Sequence, residues 1–352
     1  MYIVVAIIAF GLLIAIHELG HFTAAKLLGV KVNEFAIGMG PKILRKQGKE
    51  TLYSLRLLPF GGFCAMDEDV ASEDPRAFTA QKRWRRVVIL AAGGIANLIA
   101  AFIIVVILVS GMKGFVGTTI MELVDGFPNE GVSGIMAGDK IISINGERLH
   151  YIDNYFYSLM QLAGSNEIDL VVKRGDETIR LNKFPLQRRE YVVDGETVFR
   201  YGITFNGIEA NVIESLKYAG YMTMNYVRLI RLSIAQLFSG VASVQDLAGP
   251  VAIVDAMNVI GKTAASIGDA IADIANFTAF IGVNIALVNL LPIPAMDGGR
   301  ILFIFLTWVI EKIIRRRLDP KYEGYIHTAA LVLLMGLMVF ILVNDVLRIV
   351  SG

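Results

Sequence analysis

His17-Glu18-Leu19-Gly20-His21 is a stretch whose residue types and spacing could carry out a reaction. On a helix, residues four apart share a face, so the two imidazoles can close on one zinc ion. Glu18, next to His17, is then placed to take a proton from an attacking water, which is the chemistry of peptide hydrolysis. The motif lies inside an apolar stretch, Tyr2 to Val30, that otherwise reads as a membrane span. An acidic group at mid-span costs on the order of 3 kcal/mol on insertion scales, so such groups are expected to line a cavity and do chemistry. Two of the 4 histidines fill this pattern; His150 and His327 fall, by context, in a loop and at a span end.

Catalytic zinc usually takes three protein ligands and keeps one open position. Asp297 is the expected partner, because it interrupts an apolar run within Asn289-Leu290-Leu291-Pro292-Ile293-Pro294-Ala295-Met296-Asp297-Gly298-Gly299-Arg300. Two prolines and two glycines are expected to unwind the backbone there and let the carboxylate turn inward. At 1.5 Å per residue, His17 lies about 22 Å along a helix starting at Tyr2, and Asp297 at most about 30 Å along one starting at Phe277. The two can meet at one depth.

The elements that must position these groups are membrane spans. The chain has 352 residues, 55% hydrophobic and 18% charged, with a mean hydropathy of +0.59, which is too apolar for a water-soluble globule. The expected class is a polytopic α-helical membrane protein of about four spans, near residues 2–28, 87–112, 274–309 and 326–350. A net charge of +1 offers no electrostatic basis for binding nucleic acid; lipid is the expected surrounding partner. Lys31, Lys42, Arg45, Lys46, Lys49, Arg56, Lys82, Arg83, Arg85 and Arg86 follow the first span, and Lys312, Arg315, Arg316, Arg317 and Lys321 follow the third. These clusters put both loops in the cytoplasm, and residues 113–273 and both termini outside. Met1-Tyr2 supplies no positive leader region, so the first span is expected to stay. Cys64 is the lone cysteine, which excludes an internal disulfide or a thiolate zinc cage.

Residues 1–112 are thus expected to hold two spans and a cytoplasmic loop, 113–190 a β-rich domain, 191–273 linker strands with an amphipathic helix from about Val212 to Ser239, and 274–352 the last two spans. Within the loop, residues 50–66 are too apolar for a solvated connection. They read as a membrane-associated β-hairpin of two short strands joined at Pro59 to Gly62, dipping into a protein-lined cavity. In the β-rich domain, Ile120 to Val124, Asp139 to Gly146 and Ile168 to Lys173 alternate as half-buried strands do. Gly138 to Gly146, preceded by Gly134 to Ala137, resembles the most recognisable stretch of PDZ domains, which implies a groove able to pair with an extended peptide.

Taken together, H-E-x-x-H at 17–21 and N-x-x-P-x-P-x-x-D-G at 289–298 resemble the signatures of the site-2 protease family of intramembrane zinc metalloproteases, in its bacterial branch with a PDZ domain. The resemblance covers nearly the whole chain. It implies Zn2+ held by His17, His21 and Asp297, Glu18 as general acid and base, and Asn289 with Asn284 on the substrate backbone. Residues 50–66 resemble the family's re-entrant β-loop, and Leu247 to Ile253 its segment after the PDZ region. Gly93-Gly94-Ile95-Ala96-Asn97 resembles a G-x-x-x-N element but lacks the proline often found there, which leaves Asn97 outside the expected site. The implied function is regulated intramembrane proteolysis of single-span membrane proteins, such as anti-sigma factors and signal peptide remnants. The implied location is the bacterial cytoplasmic membrane with the PDZ-like domain outside; Gly117-Thr118-Thr119-Ile120 matches a carboxylate-binding PDZ loop poorly, so steric exclusion is expected over capture of a peptide C-terminus. A catalytically silent adaptor that binds peptides through the PDZ-like domain is the alternative from another class. A Ste24-like protease would instead draw its third ligand from a downstream Glu.

Overall fold

The computed structural model describes residues 2–67, 74–162, 166–193, 196–240, 249–316 and 321–351. The chain divides into two compact units, one made of residues 1–105 and 226–352 and the other of Val106–Asn225.

The first unit contains α1 (Tyr2–Leu27), β1 (Val32–Gln47), β2 (Leu52–Met66), most of α2 (Arg83–Val109), the end of α4 (Val212–Phe238), α5 (Pro250–Thr263), α6 (Ile267–Leu290), α7 (Asp297–Ile314) and α8 (Lys321–Ser351). Among the described residues, four stretches are long and apolar enough to cross a membrane: Tyr2–Leu27, Arg83–Val109, Ile267–Leu290 and Gly324–Ile341. Helix α1 shows how these spans are built. Ala6, Leu13, His17, His21 and Ala25 form a buried seam, while Ile3, Val4, Ile8 and Leu12 are exposed where lipid would lie. Apart from Leu13, small and polar residues face protein and large aliphatic ones face outward, as is common where helices pack in a bilayer.

The run expected as a single span over 274–309 is two helices. Helix α6 ends at Leu290 and α7 starts at Asp297, because Pro292 and Pro294 lack the N–H groups that would continue the ladder. Ala295 completes the break with φ +75°. The two glycines expected to unwind the chain do something else: both lie in the first turn of α7. A Cβ on Gly298 would strike the carbonyl oxygens of Leu290 and Leu291, and one on Gly299 the carbonyl of Ile293. They let α7 start hard against the break. Helix α7 carries Asp297, Arg300, Glu311 and Lys312 and is not one of the four span-like stretches.

Strands β1 and β2 also depart from the expected hairpin. Their register gives Glu34 to Ile37 partners on both sides, Ala65 to Gly62 on one and Leu52 to Leu55 on the other, while Lys42 to Gln47 pair with Arg56 to Leu52. The chain does reverse near Pro59 to Gly62, where Gly61 takes φ +83°. However, the flanking arms 52–58 and 61–66 do not pair with each other; they straddle residues 32–37. Residues 61–66 are therefore an edge. The turn at 48–51 is fastened to the end of α1, since Lys26 and Arg76 each donate to Glu50 at 2.8 Å and Thr51 Oγ1 donates to the Val32 carbonyl at 2.8 Å. These hydrogen bonds from Lys26 and Arg76 hold the Glu50 carboxyl down at about 2.

The second unit is built on β3 (Gly114–Leu123), β4 (Lys140–Ile144), β5 (Glu147–Arg148), α3 (Asn154–Leu162), β6 (Glu167–Arg174), β7 (Glu177–Pro185), β8 (Arg189–Val193), β9 (Glu196–Arg200), β10 (Ile203–Glu209) and the start of α4. The sheet order is β10-β3-β4-β6-β7, with β5 beside β4 and β8-β9 as a separate pair. The unit extends beyond the expected 113–190 because β10 pairs antiparallel with β3, from Ile203 on Leu123 to Glu209 on Gly114. Asn145 and Gly146, both at positive φ, make the two-residue turn from β4 to β5. Ile120, Ile135, Ile141, Ile144, Phe156, Ile168 and Leu170 fill the core. Asp139, fully buried, takes two hydrogen bonds from Arg174 at 2.8 Å. Helix α4 starts where expected, with Asn211 Oδ1 accepting from the Glu214 N–H at 2.9 Å as its cap. Of the stretch 247–253, residues 247 and 248 lie outside the described residues, as does Arg317.

Candidate metal centre

Two glycines bring α1 and α2 together. A Cβ on Gly20 would strike the Ala92 carbonyl oxygen and come within 2.8 Å of the Ala96 methyl. One on Gly93 would lie 2.7 Å from His21 Cε1 and 2.8 Å from His17 Cε1. The imidazoles therefore rest in the space Gly93 leaves open. Gly94, next along, faces Leu290 and the Ala286 carbonyl of α6, so the helix that leads to Asp297 seats on the same stretch of α2.

This packing converges three side chains. His17 Nε2 and His21 Nε2 are 3.2 Å apart, and Asp297 Oδ2 lies 3.2 Å from the first and 3.3 Å from the second. Zinc bonds of about 2.0–2.2 Å in tetrahedral geometry separate ligand atoms by roughly 3.3–3.5 Å. The spacing is that of three ligands around one small cation, and His17, His21 and Asp297 could hold it. Both histidines are 7% exposed. His21 Nδ1 lies 2.8 Å from the Ile89 carbonyl; a carbonyl only accepts, so the proton is on Nδ1 and the Nε2 lone pair is free for a metal. Asp297 sits in the first turn of α7, where the helix dipole favours its negative charge.

A cavity of about 370 Å³ opens on this cluster, lined by Ile14, His17, Glu18 and His21 of α1, Gly61 to Cys64 and Met66 of β2, Leu90 of α2, Ile285 and Asn289 of α6, and Ala295 to Asp297 and Arg300. Glu18 accepts from the backbone N–H of Cys64, and a Cβ on Gly62 would come within 3.1 Å of its Cγ. The β2 edge thus forms one wall beside the carboxylate. Asn289 lines the cavity, with Nδ2 3.5 Å from His17 Nε2. Asn284 is half-buried on α6 and is not part of the lining; five residues from Asn289, it points about 140° away around the helix. Asn97, fully buried on α2, reaches the centre, its Nδ2 3.5 Å from His17 Nδ1. Sequence reasoning left it out, although an amide within a span carries the same signal as Asp297. It also missed Arg300 and Gly93, which can be placed only by packing.

The chain matches the model of Peptidase family M50 over residues 5–337. A Clostridium acetobutylicum protein whose name places it among zinc metalloproteases is 38% identical, the match covering 98% of this chain and 97% of that protein. The Bacillus subtilis regulator of sigma-W protease RasP is 28% identical, with 98% of each chain covered. The Bacillus licheniformis zinc metalloprotease RasP is 27% identical over 98% of this chain and 99% of its own.

Proposed function

The chain belongs to peptidase family M50 and is a zinc metalloprotease, and from that premise we propose that His17, His21 and Asp297 hold the catalytic zinc and that the enzyme cuts single-span membrane proteins within the bilayer. The supporting observation is the convergence of two Nε2 atoms and one carboxylate oxygen, from helices 280 residues apart in sequence, at 3.2 to 3.3 Å. Bound zinc supplies polarisation of the scissile carbonyl and acidification of a water. Glu18, one residue from His17 and inside the same cavity, takes the proton of the attacking water and returns it to the leaving nitrogen. The Cys64 N–H holds that carboxylate towards the cavity. Asn289 donates its amide N–H to the substrate backbone.

A membrane-spanning substrate keeps its carbonyls in helical hydrogen bonds, so it must unwind before cleavage, and an exposed strand edge supplies replacement partners. Residues 61–66 fill that role. The name of the Bacillus subtilis relative refers to regulation of sigma-W; on the motif resemblance at 17–21 and 289–298, the proposed substrates are anti-sigma factors and signal peptide remnants in a bacterial cytoplasmic membrane. The strand order of the 106–225 unit, with α3 between β5 and β6, supports reading it as the PDZ-like module.

Zinc content tests the centre. Purified wild-type protein is expected to hold one zinc per chain, and Asp297→Ala and His21→Ala to lose it. Glu18→Gln is expected to keep the metal and lose cleavage by about 10²–10⁴-fold. Full zinc in Asp297→Ala would move the third ligand elsewhere. For the strand edge, Met66→Pro is expected to slow cleavage of helical substrates more than of pre-unfolded peptides, and equal slowing would remove the unwinding role.

A further inference from the structure

Each imidazole of the centre turns its Nε2 inward and its Nδ1 towards α2. For His21 the outer nitrogen has an oxygen acceptor, the Ile89 carbonyl at 2.8 Å. For His17 the group facing Nδ1 is the Asn97 amide, with Nδ2 at 3.5 Å. That orientation conflicts with the chemistry of the site. A neutral imidazole whose Nε2 lone pair points at a metal carries its proton on Nδ1, so an amide NH2 would set donor against donor. Meanwhile Asn97 Oδ1 is buried without a hydrogen-bond partner, on a residue with no exposed surface. The two orientations of a side-chain amide are nearly isosteric, and turning this one over brings the orphaned oxygen to the nitrogen that needs an acceptor.

We propose that Asn97 is a positioning residue of the metal centre, whose Oδ1 accepts the Nδ1–H of His17 and fixes that ring in the tautomer and orientation a metal ligand requires. It rests on the reading of His17 as a zinc ligand. Residues 89, 93 and 97 recur at four-residue spacing and so share one face of α2. That face supplies an acceptor for His21, a gap for both rings and an acceptor for His17. Partners that hydrogen-bond the outer nitrogen of a ligating histidine typically contribute 10–100-fold to metal affinity.

The test is zinc affinity, measured by competition with a chromophoric chelator on detergent-solubilised full-length protein carrying Glu18→Gln, so that turnover plays no part. Asn97→Leu, close in size but without an acceptor, is expected to bind zinc about 10–100-fold more weakly. Asn97→Asp restores an acceptor and is expected to stay near the parent affinity, as a carboxylate on a ligating histidine does. A residue that served packing alone would show the reverse order, because a buried unpaired carboxylate disturbs a helix interface more than leucine does. Parent affinity in Asn97→Leu, or an equal fall in Asn97→Asp, overturns the inference. If Asn97→Leu fails to fold, Asn97→Ala takes its place with the same expected weakening. His21→Ala, run alongside, separates the two ideas: zinc retained there refutes the centre itself, whereas zinc lost there with unaltered Asn97 variants refutes only the positioning role.

Discussion

Gly93→Ala puts the packing argument at greatest risk. The added methyl carbon would sit 2.7 Å from His21 Cε1 and 2.8 Å from His17 Cε1, where ordinary contacts begin near 3.4 Å. His21 Nε2 lies closer still, so rings or helices must retreat by more than about 0.7 Å, on the steep repulsive side of the van der Waals well. The imidazoles cannot absorb this by changing rotamer without abandoning the 3.2 Å separation of their Nε2 atoms. A misplacement of about 1 Å costs on the order of 10²-fold in rate, so this substitution is expected to lower cleavage of a fluorogenic peptide by roughly 10–100-fold and to lower zinc retention during dialysis. Gly94→Ala is the control from the next residue. Its methyl meets the Leu290 side chain at 2.9 and 3.0 Å, a flexible group that can swing aside, and the Ala286 carbonyl at 3.2 Å, which must give only slightly, so its rate is expected to fall less than that of Gly93→Ala. Wild-type rate and zinc in Gly93→Ala, or an equal loss in Gly94→Ala, would refute the account of how α2 shapes the centre.

Two further predictions concern ion pairs away from the centre. Glu50 titrates near 2 in the folded chain against about 4.3 when unfolded, so its contribution is present above the unfolded value and is lost as pH falls from about 4.3 towards 2. Glu50→Gln mimics the protonated state at neutral pH and is expected to speed hydrogen exchange of the Gly48 N–H, bonded to the Thr51 carbonyl at 2.9 Å, while wild type shows no such loosening between pH 8 and 5.5; unchanged exchange in the variant would show that the turn holds without Glu50. In the second unit, Arg174→Met strands the buried Asp139 carboxylate and is expected to destabilise by about 3–5 kcal/mol, measured by denaturant unfolding of the full chain, with Asp139→Asn added to the same variant recovering part of the loss. A variant as stable as wild type would mean that Asp139 finds other donors.

The residues the structure brings together at the centre were legible because a bilayer makes them expensive. His17, Glu18, His21 and Asp297 interrupt runs that have no other reason to contain ionisable groups. The spans were legible for the complementary reason, and Pro292 and Pro294 announced the break between α6 and α7. What was hidden is long-range pairing. Nothing local in 203–209 says that it adds to β3, some eighty residues upstream, and nothing in 50–66 says that its two arms embrace 32–37 instead of each other. Asn97 is a different lesson. Judged against a motif it lacked a proline, but judged by the physical rule applied to Asp297, a polar side chain within a span already pointed inward.

On the proposed ligand set, the break at 291–296 also bears on when the chain becomes an enzyme. Both imidazoles belong to α1, whereas the carboxylate arrives on a separate helix 280 residues later. A growing chain with α1 and α2 inserted has two of three donors and a half-walled cavity. Proteolytic competence then waits until α7 has been made and has docked against α1 and α2.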